Sequence, residues 1–436
     1  MVRVADDAYV GIDRIDEGTV SWRTGSNMDA ILDLLENHAV VTVGKVLPHL
    51  VSEFGALWND VAMNNGHSKR VVYFARHDWQ LMCSVMAMTL QMMQRTDRIL
   101  KAVPFIVNRA AWWQYAFVEN GRYAYPFSLF RYNVTGEEEW NPTYLRLYYD
   151  FWSGVEGELI VSTSSAANVL TQAFCSVERE SIFVVVHSLA DTAVGAAVEW
   201  PAELSSVVFA SSNITRLQWV GDDATDGVPS LRRERLGDGL PRSISLEARE
   251  TVLLHFAGPS VRDVCASTAG GIEDERTYYS NATITPLPSG EAAAFAFELD
   301  GSQELAETMR RSTLRVGLSG TVAAYDAAIG AAAGTLEVLV NGARVPIELD
   351  GMMAGGGGKL HVSQSDERFF GAFSVSFSPD VLSSGGGRAT VVLNNTMAAW
   401  SGNDFTVSSA MLVVAWHSEL PPSPPPPSPT PPLPPH

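Results

Sequence analysis

The apolar rhythm of the chain changes once, near Gly157, and a chain with two rhythms must fold as two kinds of structure. Before that point apolar residues recur at i, i+3, i+4 and i+7 or run unbroken, the patterns of amphipathic helices and of strands covered on both faces. After it come short runs such as Ile182-Phe183-Val184-Val185-Val186 and Val252-Leu253-Leu254-His255-Phe256, separated by turn residues. The expectation is a multidomain chain, α/β first and then all-β with the texture of β-sandwiches. With 436 residues, 46% of them hydrophobic, two or three domains with packed cores are expected.

In the first part, Ser26-Asn27-Met28-Asp29 predicts a helix start, with Ser26 as N-cap and Asp29 in the capping-box position. Met28, Ile31, Leu32 and Leu35 would form its buried face, packed on the outside of a sheet. The stretch Leu47-Pro48-His49-Leu50-Val51-Ser52-Glu53-Phe54-Gly55 ends a near-continuous apolar run with a lone carboxylate and a glycine. In a (β/α)8 barrel chemistry sits at the C-terminal ends of such strands, so Glu53 is either a catalytic carboxylate or the cap of an ordinary strand. Residues 59 to 78 are polar and irregular, include His67, His77 and Asp78, and would form a loop on the active-site side. A helix follows, with Trp79, Met82, Cys83, Met86, Leu90 and Met93 in one stripe that Met88 and Met92 widen; core packing explains it better than a binding surface. The run from Arg95 to Val107 reads as a second buried strand, with Asn108-Arg109-Ala110-Ala111-Trp112-Trp113 at its functional end. Trp112 and Trp113 would either offer their flat faces to a bound ligand or pack internally. Leu145 to Trp152 again has helical period and would close the α/β part.

This order resembles the end of the catalytic barrel of glycoside hydrolase family 86, the β-agarases and β-porphyranases. The resemblance rests on Ser52-Glu53-Phe54-Gly55, on the Arg95-Thr96-Asp97-Arg98-Ile99-Leu100-Lys101 run with Pro104-Phe105-Ile106 behind it, and on Gly25 to Leu34 upstream. It extends more loosely to about Trp416. It implies that Glu53 is the nucleophile of a retaining endo-hydrolase acting on β-1,4-galactosidic bonds of a red-algal-type galactan, with Trp112, Trp113, His49 and His77 as substrate-binding residues. Family members commonly carry an acidic residue just before the tryptophan, where this chain has Ala111, which puts the carry-over of substrate contacts in doubt. On this reading residues 1–155 are the C-terminal, incomplete part of a (β/α)8 barrel. Residues 156–262 are a β-sandwich, 275–417 a second sandwich like that at the end of porphyranases, and 418–436 a disordered polyproline tail.

Within the second all-β block, Asn341-Gly342 flanked by strand residues predicts a hairpin. Gly355 to Gly358 and Gly385 to Gly387 lack the Lys-Ser/Thr and helix context of a phosphate loop, so they are turns, and no cofactor is expected. The tail, with its Ser423-Pro424-Pro425-Pro426-Pro427 unit, forms polyproline II and resembles the hydroxyproline-rich wall glycoproteins of plants and green algae; the alternative is a stiff linker.

A formal net charge of -19 argues against nucleic acid or an anionic membrane surface as partner and fits a neutral glycan slightly better than a sulfated one. Cys83, Cys175 and Cys265 are too few and scattered for a metal site or a disulfide framework and are expected to be mostly buried thiols. Sequons at Asn133, Asn213, Asn281 and Asn394 permit glycosylation if the chain is secreted. No apolar run spans a bilayer, and Met1-Val2-Arg3-Val4-Ala5-Asp6-Asp7 is no signal peptide, so the chain is either not secreted or lacks its true beginning. The tail's resemblance to wall glycoproteins makes an extracellular or cell-wall location the expectation, and the oligomeric state stays open.

Retaining hydrolysis needs two carboxylates, a nucleophile and a proton donor, about 5 Å apart. Glu53 supplies one; in the resembled family the acid/base lies on an earlier strand, and nothing among the fifty-two residues before Glu53 matches it, since Glu17 and Glu36 fall on loop and helix. Three readings stay open: the C-terminal piece of an agarase-like or porphyranase-like hydrolase, inactive alone; a non-catalytic glycan-binding or wall-structural glycoprotein; and a hydrolase completed by another polypeptide.

Overall fold

A computed structural model describes residues 2–4, 12–16, 19–21, 24–58, 75–110, 127–132, 140–202, 204, 207–221, 227–237, 239–270, 274–299, 309–321, 324, 326, 328, 336–347, 349, 359–361, 367–383, 385–397 and 404–416. The α/β part comprises β1 (Val2–Val4), β2 (Ile12–Asp16), β3 (Thr19–Ser21), α1 (Ser26–Val43), β4 (His49–Trp58), α2 (Ala75–Met93) and β5 (Ile99–Pro104). Strand β4 is the hub: β1 and β5 flank its first half in parallel, and β2 pairs in parallel with its second half. Among the described residues this sheet stays open, and no closed barrel forms. A three-stranded sheet of β6 (Val107–Arg109), β7 (Ser128–Tyr132) and β8 (Trp140–Pro142) follows, then α3 (Arg146–Trp152), which lies against the next sheet.

That sheet orders its strands β14-β13-β16-β11-β10-β9, from β9 (Glu158–Ile160), β10 (Val169–Ser176), β11 (Ser181–Ser188), β13 (Ser211–Val220), β14 (Val228–Arg235) and β16 (Thr251–Ala257). Strands β12 (Val194–Ala197) and β15 (Ser243–Leu246) pair separately and cover one of its faces, where Val186, Ile214, Ile244, Leu246, Val252, Leu254 and Phe256 share a core. The other face carries Phe174, Phe183, Val185, Leu217 and Leu253, which join the core built on α2. Both faces are covered, which explains why β11 and β16 read as unbroken apolar runs although their pairing is antiparallel.

Helix α4 (Pro259–Gly270) is held to β10 by a Cys175–Cys265 disulfide, with Cα atoms 5.4 Å apart, and Cys83 is a buried free thiol. This corrects the expectation of mostly buried thiols: the two cysteines stand 90 residues apart, and only the fold brings them together.

The last part comprises β17 (Asp274–Tyr279), β18 (Thr285–Leu287), β19 (Ala292–Glu298), β20 (Met309–Thr321), β21 (Leu336–Val340), β22 (Ala343–Val345), β23 (Lys359–His361), β24 (Glu367–Phe377), α5 (Asp380–Ser383), β25 (Arg388–Asn395) and β26 (Phe405–Trp416). One sheet runs β17-β26-β20-β24-β23, with β18 also on β26; the other runs β19-β25-β21-β22. Residues such as Leu314, Val316, Leu412 and Val414 of the first sheet and Phe295, Phe297, Val338 and Val391 of the second meet in one core. The Asn341-Gly342 turn joins β21 to β22 with φ of 47° and 82°, as that dipeptide predicts.

Both helices of the α/β part are covered by the all-β parts, apart from the exposed last turn of α1 at Val41 to Val43. Helix α2 lies between β4–β5 and the sheet of β10 and β14, and every residue from Asp78 to Met92 is buried, the methionines in core packing. Helix α1 packs on β20, β24 and β26. It begins after Gly25, not with a Ser26 cap: φ of 77° at Gly25 suits glycine, and the Gln91 amide of α2 bonds both the Gly25 N–H and its carbonyl at 2.8 Å. Its expected apolar face is only partly buried, since Ile31 and Leu35 keep some exposure, whereas Asn27, Asp33, Glu36 and Asn37 are buried against the last sheet.

Candidate active site

The candidate catalytic carboxylate sits where the β4–β5 pairing is irregular. His49, Leu50 and Val51 pair with Ile99, Lys101 and Ala102, then Phe54 pairs with Pro104, so Ser52 and Glu53 stand opposite Val103 alone. Two residues against one is a bulge, a device that re-aims side chains beside active sites. Both Ser52 and Glu53 are exposed, while Phe54, Gly55 and Ala56 directly after them are buried. A Cβ on Gly55 would lie 3.3 Å from Leu81 and 3.5 Å from Val85, so the glycine lets α2 approach the strand closely. The Phe54 carbonyl accepts the Phe105 N–H at 2.8 Å, which fixes the strand just beyond the bulge. Among the described residues no hydrogen bond or ion pair reaches the Glu53 carboxylate. It is anchored through its backbone and open at its tip.

His77 and Asp78 open α2, which follows β4 in the chain, so the helix start and the C-terminal end of β4 belong to one βα step. The two side chains differ in environment. Asp78 is fully buried, accepting Arg131 Nη2 at 2.8 Å and the Tyr144 N–H at 2.9 Å, and so it ties α2 to β7 and to the segment after β8. His77 is half-buried, and burial together with the charges of Arg131 and Arg76 brings its pKa down to about 3, so it is neutral at ordinary pH. Arg109, at the end of β6, stacks its guanidinium between Phe130 and Trp140, 5.5 and 5.4 Å from the ring centroids. Trp112 and Trp113, like the loop at 59–74 with His67, lie outside the described residues.

His49 lies apart from Glu53. It starts β4, four residues or roughly 13 Å of extended strand before Glu53, and is only 4% exposed. Burial and the nearby Arg95 and Arg98 hold its pKa below the ordinary value despite Glu36. The imidazole is thus enclosed at the end of the strand far from Glu53.

What surrounds His49 was not legible in the sequence. Arg95 bonds Asp33 at 2.5 Å and Glu36 at 2.7 Å; Arg98 bonds Glu36 at 2.6 Å and Tyr279 at 2.9 Å; Arg315 of β20 reaches Asp33 at 3.0 Å. Burial alone would push the Glu36 carboxyl up, but the two guanidiniums bring it below the usual range. Glu36 is thus a fully buried, ionised anchor with three partners and cannot serve as a proton donor. The Arg95–Lys101 run therefore has a structural purpose: its arginines clamp α1 to the turn before β5 and to the last pair of sheets. A separate cleft of about 1830 Å³ runs between these sheets and the β9–β10 segment, lined by Ser162, Thr277, Arg311 and Ser376 among others and away from the Glu53 end of β4.

No protein-family model matches the chain. Among characterised proteins, β-porphyranase A of Phocaeicola plebeius is 24% identical over 409 residues, 91% of this chain and 48% of that one. A β-agarase of Pseudoalteromonas atlantica is 26% identical over 174 residues, 39% of this chain and 32% of the other. Among solved structures, the β-porphyranase of glycoside hydrolase family 86 from the human gut bacterium Bacteroides plebeius superposes with a TM-score of 0.71 and 21% identity, covering 93% of this chain and 62% of its own. BuGH86 in complex with neoagarooctaose gives 0.72 and 20%, covering 92% and 57%. The chain thus spans 48% of the length of β-porphyranase A and 32% of that of the β-agarase.

Proposed function

The chain is related in sequence and fold to glycoside hydrolase family 86, and from that kinship we propose that it is an agarase-like or porphyranase-like protein in which Glu53 is the nucleophile toward a galactan. The observation that carries the reading is the exposed Glu53 carboxylate on the bulge of a central parallel strand, in a chain that matches β-porphyranase A over 91% of its length. In a retaining mechanism such a carboxylate attacks the anomeric carbon while a second carboxyl, about 5 Å away, protonates the leaving oxygen. Trp112, Trp113 and His77 are the proposed substrate-contacting residues. A neutral His77 would accept or donate one hydrogen bond to a sugar hydroxyl.

The proposal has a second part: residues 1–155 form part of a (β/α)8 barrel, and this chain alone is inactive on polysaccharide. The described sheet leaves one edge of β5 unpaired, and no second carboxyl is assigned to the site. Without a proton donor the leaving sugar departs as an alkoxide, and general acid help is typically worth ~10²–10⁴-fold. An activated aryl galactoside, whose phenolate leaves unprotonated, separates the two parts. The chain should release phenolate from dinitrophenyl β-galactoside and stop on Glu53→Gln substitution. Equal release by both proteins would remove Glu53 from the role.

The Cys175–Cys265 disulfide supports an extracellular location, because such bonds persist in oxidising compartments.

A further inference from the structure

Of the three sequons whose asparagine lies among the described residues, the fold presents one as an acceptor. Asn213 lies on β13, paired on one side with Arg235 of β14 and on the other with His255 of β16. Asn394 lies on β25 between Ala292 of β19 and Glu337 of β21. Both are half-buried inside sheets, and Asn133 falls outside the described residues.

Asn281 differs in every respect. It stands in the turn between β17 and β18, in the sequence Asn281-Ala282-Thr283, and is exposed. Its Oδ1 accepts the Ala296 N–H at 3.0 Å, and its own N–H donates to the Ala296 carbonyl at 3.2 Å, so the side chain is oriented. Its Nδ2 carries no hydrogen bond among the described residues. The base of the turn is anchored, since Asn37 of α1 donates to the Ser280 carbonyl at 2.9 Å. A substituent on Nδ2 would therefore point into solvent and disturb no contact.

We propose that Asn281 is a site of N-linked glycosylation. The inference rests on the oxidising-compartment reading of the Cys175–Cys265 bond, since disulfide formation and asparagine glycosylation share the secretory lumen of eukaryotic cells. In the transfer, Asn281 Nδ2 bonds to the anomeric carbon of an oligosaccharide carried on a lipid pyrophosphate. The C–O bond to the pyrophosphate breaks, the lipid pyrophosphate leaves with that bond's electrons, and Nδ2 gives up one proton.

The test directs the full chain into the secretory pathway of a eukaryotic cell and treats the product with the amidase that converts glycan-bearing asparagine to aspartate. The peptide containing residue 281 should show that conversion, and Thr283→Ala, which keeps Asn281 and its bonds to Ala296, should abolish it. Thiol titration of the same product should find one free thiol, Cys83, of the three cysteines. One free thiol with an unmodified Asn281 overturns the site while leaving the compartment intact. Three free thiols with an unmodified Asn281 overturn both. Conversion that persists in Thr283→Ala also overturns the sequon-directed assignment.

Discussion

Glu53 on β4 and Arg95 in the turn before β5 show how two charged residues come to opposite ends of the stability scale. Glu53 is exposed and unpartnered among the described residues, so Glu53→Gln should shift unfolding in urea by no more than about 0.5 kcal/mol. Arg95 is 2% exposed between Asp33 and Glu36, and Arg95→Met would leave both carboxylates buried without it. A loss of roughly 3–5 kcal/mol is expected on breaking such a network from one side; a loss below about 1 kcal/mol would mean that the carboxylates relax to water. His187 gives the pH dependence. Burial, with Arg249 nearby, brings its pKa from 6.5 to about 3, so an unfolded chain binds the proton in a range where the folded chain does not. The stability from this residue is complete above pH 6.5 and is lost as pH falls from there toward 3. Urea melts across that window should show the decline, and His187→Gln should flatten it.

At the scale of elements, what the sequence made legible was whatever local chemistry decides. The Asn341-Gly342 hairpin, the methionine-rich α2 and the near-continuous run of β4 each follow from turn chemistry or apolar spacing within a few residues. Polar residues buried by distant partners were not legible. Asn37, Asp33 and Glu36 fall outside the apolar stripe of α1, but Ser280, Arg315 and Arg95 enclose them, and no pattern within the helix announces partners some 60 to 280 positions away. The N-cap failed likewise, because Gln91 on another helix satisfies Gly25. Likewise His49 shares its strand with Glu53 but not its surroundings. One consequence can be measured on the β-rich half. A fragment starting at Glu158 should give circular dichroism dominated by β signal. It should also bind a hydrophobic dye, because Phe183, Val185, Leu217 and Leu253 would lose the cover of α2. A helix-rich spectrum, or a fragment that binds no dye, would contradict this division.

Across the whole molecule, the all-β parts form walls of the α/β part. One encloses α2, which packs on the strand that carries Glu53, and the other encloses α1. Such backing supplies the rigidity a nucleophile needs, yet it does nothing to protonate a leaving group. The proposed role is a carboxylate at Glu53 positioned for attack, in a chain proposed not to complete hydrolysis of a polysaccharide by itself. Reducing-end release from agarose and porphyran, by the purified chain beside its Glu53→Gln variant, tests this most directly. The expected result is no sustained release by either protein. Sustained oligosaccharide production by the chain that disappears in the variant would contradict the claim and show that a proton donor is present.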